Sequence, residues 1–159
     1  MEAACSVRLV NWNEAKPALA RVRGTVFVRE QGVPEALEWD GLDDNAVHAL
    51  AECADGAAIG TARLLADGHI GRMAVLVSWR SRGVGSALLD RLTLAARAHG
   101  MRTVWLHAQT HAAAFYRLHG FEVTSSEFLD AGIPHVTMTR HLDPLQVAPS
   151  AAGDDDSNS

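Results

Sequence analysis

Hydrophobic and polar positions change period several times along the chain, and each change marks an element. Residues 6–11 alternate, with Val7 and Leu9 set against Arg8, as in a short half-buried strand. Asn13 reads as the N-cap of a helix, with Glu14 in its first turn and Pro17 still early enough for its missing N–H to be tolerated. Leu19, Val22, Val26 and Phe27 share one helical face, and the helix is expected to run to Glu30 before Gly32 and Pro34 stop it. The next stretch, residues 33–46, is polar and acidic, carrying Glu35, Glu38, Asp40, Asp43 and Asp44. A loop of that length in a compact domain is usually a binding loop or a mobile one.

Residues 47–53 and 57–65 then read as strands joined by a turn at Asp55-Gly56, and Asp67-Gly68 turns the chain into a third strand ending near Val77. From Gly83 the apolar positions Val84, Leu88, Leu92 and Ala95 recur at helical spacing until Gly100. Residues 103–108 are apolar on both faces, the pattern of a buried central strand. A shorter helix over 110–119 is closed by Gly120, and strands near 122–125 and over 133–141 complete the chain. The order βα-βββ-αβ-αββ is neither alternating nor all-β, so the expected class is α+β, a mixed α/β single domain over 1–142. Residues 143–159, rich in Ala, Pro, Ser, Gly and Asp, have too few apolar groups to offset ordering entropy and are expected to form a disordered acidic tail.

Composition narrows the function more by exclusion than by pointing. The chain has 159 residues with 14 Lys plus Arg against 19 Asp plus Glu, a formal net charge of −5. No basic stripe offsets that balance, which argues against nucleic acid as a partner. No apolar run approaches the ~20 residues that span a bilayer, so no membrane partner is expected and the location is read as cytoplasmic. Cys5 and Cys53 lack CxxC spacing and are expected as buried thiols, and the 8 histidines show no HExxH pattern, so no metal is expected.

The most informative segment is 73–86, where the strand Met73-Ala74-Val75 passes through Arg80, Arg82 and Gly83 into the helix beginning Val84-Gly85-Ser86. Such a turn presents unpaired backbone N–H groups at the positive end of a helix dipole, a natural cradle for a pyrophosphate. A third glycine of the dinucleotide pattern is absent, position 88 being Leu, and no Gly-Lys-Ser/Thr follows. A second motif, Gln109 to Phe121, contains Tyr116, the only tyrosine. Ala112, Phe115, Tyr116 and His119 share one helical face, which aims Tyr116 at the sheet.

Taken together, Arg80-x-x-Gly83-x-Gly85 after a strand and Gln109 with Tyr116, Gly120 and Phe121 resemble the GNAT superfamily of acyl-CoA-dependent N-acetyltransferases, over about residues 7–142. Phe27 to Pro34, Asp40-Gly41-Leu42-Asp43, His48 and Gly132-Ile133-Pro134-His135 are similar to its ElaA/YjcF-like branch. The resemblance implies a central mixed, splayed sheet flanked by helices, with acetyl-CoA as acyl-donor cosubstrate wedged between the strand ending near Val77 and the strand over 104–108. It further implies that backbone of Met73, Ala74 and Val75 pairs with the pantetheine arm and that Arg80, Arg82, Gly83, Val84, Gly85 and Ser86 surround the pyrophosphate. Gln109 would also touch the cofactor, and Tyr116 would return a proton to the departing thiolate. The chain departs from common patterns at Val77, often Pro, at Gln109, often Asn, and at Val104 and Leu106, where some members carry a Glu.

Direct attack on a thioester requires a neutral amine, hence a proton acceptor. Glu30, Asp40, Asp43, His48, His107 and His135 are candidates, with Glu30 and His135 ranked first because the resemblance covers both. The acceptor, a small-molecule primary amine or a protein lysine, is expected between the end of the first helix, the acidic loop and residues 132–135, contacting Arg29, Gln31, Asp40 and Asp43. A non-catalytic acyl-CoA sensor or interaction module on the same fold is the alternative, and homodimerisation is left open.

Overall fold

The computed structural model describes residues 5–34 and 39–143. Residues 144–159 of the expected tail, and Glu35 and Glu38 of the acidic loop, lie outside the described residues. The first strand, β1 (Cys5–Val10), leads into helix α1 (Trp12–Arg23). The N-cap is Asn11 rather than Asn13: Asn11 is still extended, its side chain accepts from the Glu14 N–H at 2.8 Å, and Glu14 reaches back to the Asn11 N–H at 3.2 Å. This reciprocal capping box starts the helix two residues earlier and moves Asn13 inside it. The helix also fails to reach Glu30 in α form. After Arg23 it widens into a π-helical segment, Gly24–Glu30, where Gly24 and Thr25 weaken the regular ladder and the Thr25 hydroxyl donates to the Arg21 carbonyl.

Strands β2 (Val47–Cys53), β3 (Ala58–Leu64) and β4 (Ile70–Val75) join β1 in an antiparallel sheet of order β1-β2-β3-β4. Helix α2 (Val84–Ala98) lies across it, and Gly60 on β3 lets it sit close. A Cβ at Gly60 would come within 3.0 Å of a Val84 methyl and 3.1 Å of Leu88. A second sheet is built on β5 (Thr103–Gln109), followed by a single 3-10 turn (Thr110–Ala112), helix α3 (Ala113–Leu118), β6 (Glu122–Val123), β7 (Phe128–Asp130) and β8 (Ile133–His141). Both β5 and β6 pair antiparallel with β8, and β7, which the residue pattern did not announce, pairs with its start.

Leu88, Leu89, Leu92, Val104, Leu106 and Met138 are buried together between the two sheets and α2, while Leu19, Val22 and Leu50 anchor a separate cluster under α1. On β5 the alternation is real: Val104, Leu106 and Ala108 are buried, but Trp105 is only half-buried and His107 is exposed. The strand is therefore not buried on both faces as its composition suggested. Cys5 is exposed and Cys53 half-buried, so neither is the deeply buried thiol expected.

The fold is a mixed α/β single domain with two antiparallel sheets and three helices. The expected mixed sheet reduces to one contact, because the only parallel pairing among the described residues is the bridge between His69 and Trp105. At that vertex the Trp105 N–H donates to the Gly68 carbonyl at 3.0 Å. Gly68, at φ +91°, is obligatory there, since a Cβ would lie 2.5 Å from the Thr103 carbonyl oxygen. Past the vertex β4 and β5 diverge. The register of β4 on β3 slips by one residue at Arg72 and Met73, a bulge in which Arg72 adopts φ +49° and the strand is bent away from its neighbour.

Candidate active site

The divergence of β4 and β5 opens a wedge-shaped cavity of about 720 Å³. One wall is Met73, Ala74 and Val75, the edge of β4 beyond the bridge, which has no partner strand among the described residues. An unpaired strand edge offers main-chain donors and acceptors to an extended ligand. At the mouth, Gly83, Gly85 and Ser86 line the cavity where α2 begins. Gly83 holds φ +85°, no side chain caps the helix, its first turn holds no acidic residue, and a Cβ at Gly83 would meet nothing within 4 Å. The first-turn N–H groups thus face open space at the positive end of a helix of 15 residues, an arrangement that fits a diphosphate.

The side chains around this mouth divide into offered and committed ones. Val84 contributes only its N–H, its side chain being in the core. The Ser86 hydroxyl lies 3.0 Å from His119 Nε2, and His119 Nδ1 lies 3.3 Å from Asp90, so the tautomer that donates to Asp90 accepts the serine hydroxyl. Arg82 stacks its guanidinium 5.1 Å over the Trp79 ring. Arg80, expected beside a phosphate, is instead bound bidentately to Glu30 at 2.6 and 2.8 Å and donates from Nε to the Val75 carbonyl at 2.9 Å. It ties the end of the π-helical segment to the end of β4.

That pairing also removes Glu30 from the front rank of proton acceptors. The hydrogen bond from Arg80 holds its carboxyl below the usual value, which makes it a weak base, and both oxygens are occupied. Arg29 is exposed and outside the cavity lining, while Gln31 is part of it. Asp43 is buried and belongs to no binding surface: its carboxylate accepts from Arg23 at 2.7 Å and Arg63 at 3.1 Å. Burial alone would raise its pKa, but the two guanidinium groups hold it below the ordinary range. Asp40 accepts from Arg63 and Arg72, and despite partial burial its carboxyl is pulled down to about 2. His48 is buried against Trp12, with its Nε2 on the Asp43 carbonyl oxygen, and desolvation pushes its pKa down. Asp40 and Asp43 are thus neutralised within the protein, not displayed to an acceptor.

Deeper in the wedge, Tyr116 lines the cavity from α3, and its hydroxyl has no hydrogen-bond partner among the described residues. Burial raises its pKa, so the phenol stays protonated at neutral pH and can donate. Gln109 lies at the end of β5, its carbonyl oxygen 2.6 Å from His111 Nε2, which leaves its NH₂ to donate elsewhere. Opposite Gln109 in register is His135, whose Nδ1–H donates to the Ile133 carbonyl at 2.7 Å and leaves Nε2 to accept. Sequence reasoning did not single out Trp79, His69 or Asp130, all of which line the same cavity; only the closure of β4 on β5 brings His69 there.

A partnerless strand edge that runs into an uncapped glycine helix start, with a protonated phenol between two diverging sheets, has donors for an extended anionic ligand and one proton to give. The acetyltransferase (GNAT) domain family matches residues 14–142. The chain is 43% identical over 124 residues to the uncharacterized N-acetyltransferase YjcF of Bacillus subtilis (strain 168), covering 75% of this chain and 87% of that one. Among solved structures, an acyl-CoA N-acyltransferase from Pseudomonas aeruginosa superposes with a TM-score of 0.76 at 32% identity, covering 86% of this chain and 99% of that one. Escherichia coli ElaA superposes with a TM-score of 0.75 at 29% identity, covering 85% and 99%. The chain belongs to the GNAT family, in its ElaA/YjcF-like branch, and acyl transfer is the general activity of that family. No helix among the described residues is long and apolar enough to cross a membrane.

Proposed function

We propose that the protein transfers the acetyl group of acetyl-CoA to a primary amine, a small molecule or a protein lysine, by direct attack within a ternary complex. The observation that carries this reading is the unpartnered Tyr116 hydroxyl facing a wedge whose mouth is an uncapped helix start. The N–H groups of residues 82–86, that of Ser86 included, would hold the diphosphate, helped by the Gln109 amide, and the edge of Met73, Ala74 and Val75 would pair with the amides of the pantetheine arm. Arg80 serves this site indirectly, by fixing the loop through Glu30 and Val75. Arg82 is close enough to the mouth to add positive charge from its seat on Trp79. The amine nitrogen forms its bond to the carbonyl carbon as the carbon–sulfur bond breaks, and Tyr116 donates its proton to the leaving sulfur. Gln31 and His135 would contact the acceptor, whereas Asp40 and Asp43 shape its surroundings from within the loop.

Release of free CoA thiol, followed with a panel of amines, tests this reading. Tyr116→Phe is expected to lower turnover roughly 100-fold while acetyl-CoA affinity changes little, the signature of a lost acid. Equal turnover in wild type and variant would remove Tyr116 as the acid, and acetyl-CoA binding with no thiol release from either would instead fit a binding module that does not use the phenol.

A further inference from the structure

At the vertex of the wedge five rings form a continuous ledge. His69 stacks on Trp105 with centroids 4.1 Å apart and planes within 9°. His107 lies 5.5 Å from each of them, and Phe128 continues the row at 5.1 Å from His107 and 6.1 Å from His135. Both His69 and His107 line the cavity, and neither ring has a hydrogen-bond partner among the described residues. A half-buried imidazole without a partner, as at His69, needs an explanation, because polar groups withdrawn from water are ordinarily satisfied, and the exposed His107 beside it has both ring nitrogens open to the cavity.

Their place in the wedge supplies one. The diphosphate cradle is at the open end of β4 and the ledge at the closed end, about 20 Å away at the usual strand rise of ~3.3 Å per residue. A donor held by its diphosphate at the mouth directs its other end, the thioester, toward the ledge. We propose that His69 and His107 act as a pair to take the proton from the acceptor amine, His107 as the catalytic residue that meets the amine and His69, pinned on Trp105, as the positioning residue behind it.

The electrostatics favour a neutral His69. Desolvation lowers the His69 pKa, and the nearby His107, Arg63 of β3 and Arg72 of β4 push it the same way against the attraction of Asp67. Two imidazoles this close take up one proton far more readily than two. From β7 and β8, Asp130 and His135 face the same space, and Asp130 has no ion-pair partner among the described residues, so its carboxylate attracts the ammonium form. The balance is complete: the ammonium gives one proton to the imidazole, the neutral nitrogen bonds the acetyl carbon as the carbon–sulfur bond breaks, the sulfur takes the Tyr116 proton, and the acylated nitrogen returns its second proton to the tyrosinate. The imidazolium then releases its proton to solvent.

This proposal rests on the transfer reading, and the experiment separates the two. Thiol release is measured across pH for wild type, His107→Gln, His69→Gln and the double variant, with acetyl-CoA affinity measured calorimetrically on each. His107→Gln, at an exposed position, is expected to fold normally, bind acetyl-CoA as wild type does, and lose roughly 100-fold in kcat/KM for the amine. Its log(kcat/KM) profile loses the acid limb that an imidazole base gives to the wild type. The double variant falls little further than His107→Gln, as groups acting as a unit do. Full activity and an unchanged acid limb in His107→Gln overturn the assignment while leaving acetyl transfer standing. Acetyl-CoA binding without thiol release from wild type, for every amine tried, overturns the transfer reading and this proposal with it.

Discussion

The glycine turn at residues 82–86 and the acidic loop around Asp40 and Asp43 are both polar, both follow an apolar element, and both look like ligand sites in one dimension. Their hydrogen-bond inventories are opposite. At the turn, the first N–H groups of α2 have no side-chain cap and Gly83 opens onto empty space. In the loop, Asp43 is shared by Arg23 and Arg63, Asp40 by Arg63 and Arg72, and His48 closes the cluster from below. The loop's charge is used to fasten α1 to β3 and β4. Charge present in a segment is not charge offered to a ligand, and binding belongs where donors are left over.

The largest effect should come from the turn. Asp tolerates a positive φ better than most residues, so Gly83→Asp tests the cradle with little backbone penalty. The variant should keep its melting temperature within a few degrees and lose at least about 100-fold in acetyl-CoA affinity by calorimetry, because a carboxylate would occupy the anion's place. Unchanged affinity would break the contrast at its functional end.

Asp43→Asn probes the other end. Leaving Arg23 and Arg63 half-paired in the interior should cost about 3 kcal/mol of stability in denaturant unfolding, with the KM for the amine barely moved in the folded fraction. A stable variant with a raised KM would return Asp43 to the binding surface. Acid sharpens the same point. Asp40 titrates near 3.8 when unfolded and near 2 when folded, so its contribution is complete above pH 4 and is lost as pH falls toward 2. Solvent screening at this exposed carboxylate reduces the contribution, which shows as a fall in melting temperature over this window that Asp40→Asn flattens.

The smallest effect is expected from Glu30→Gln. Its carboxylate is solvent-exposed and already bound by Arg80, so the acid limb of the pH–rate profile should be retained and turnover should change only modestly. Disappearance of the acid limb would make Glu30 the proton acceptor after all.

What could be read from the chain follows the range of the interactions involved. Gly83 and Gly85 were legible because a helix start and its glycines are local, and β2, the Asp55-Gly56 turn and α2 follow from short-range pattern in the same way. Asn11 was missed as the cap because Asn11 and Asn13 are both good capping residues and only the reciprocal bond with Glu14 chooses between them. The commitments of Asp43 and Asp40 were not legible, since their arginines lie on α1, β3 and β4, 20 or more residues away. The face of β5 that carries Trp105 and His107 was read as buried because its residues are apolar or aromatic, whereas β4 meets β5 at one bridge and then leaves that face open. β7 has only 3 residues, too few for a period to show.

Acetyl-CoA is proposed to lie in the wedge with its anionic end at the start of α2 and its arm along β4. Amide chemical shifts of the labelled protein, titrated with acetyl-CoA, measure this directly. The largest changes are expected at Gly83, Val84, Gly85 and Ser86, continuing through Met73, Ala74 and Val75, with the amides of Asp40 and Asp43 nearly still. Saturable shifts confined to the acidic loop, or none at residues 83–86, would contradict it.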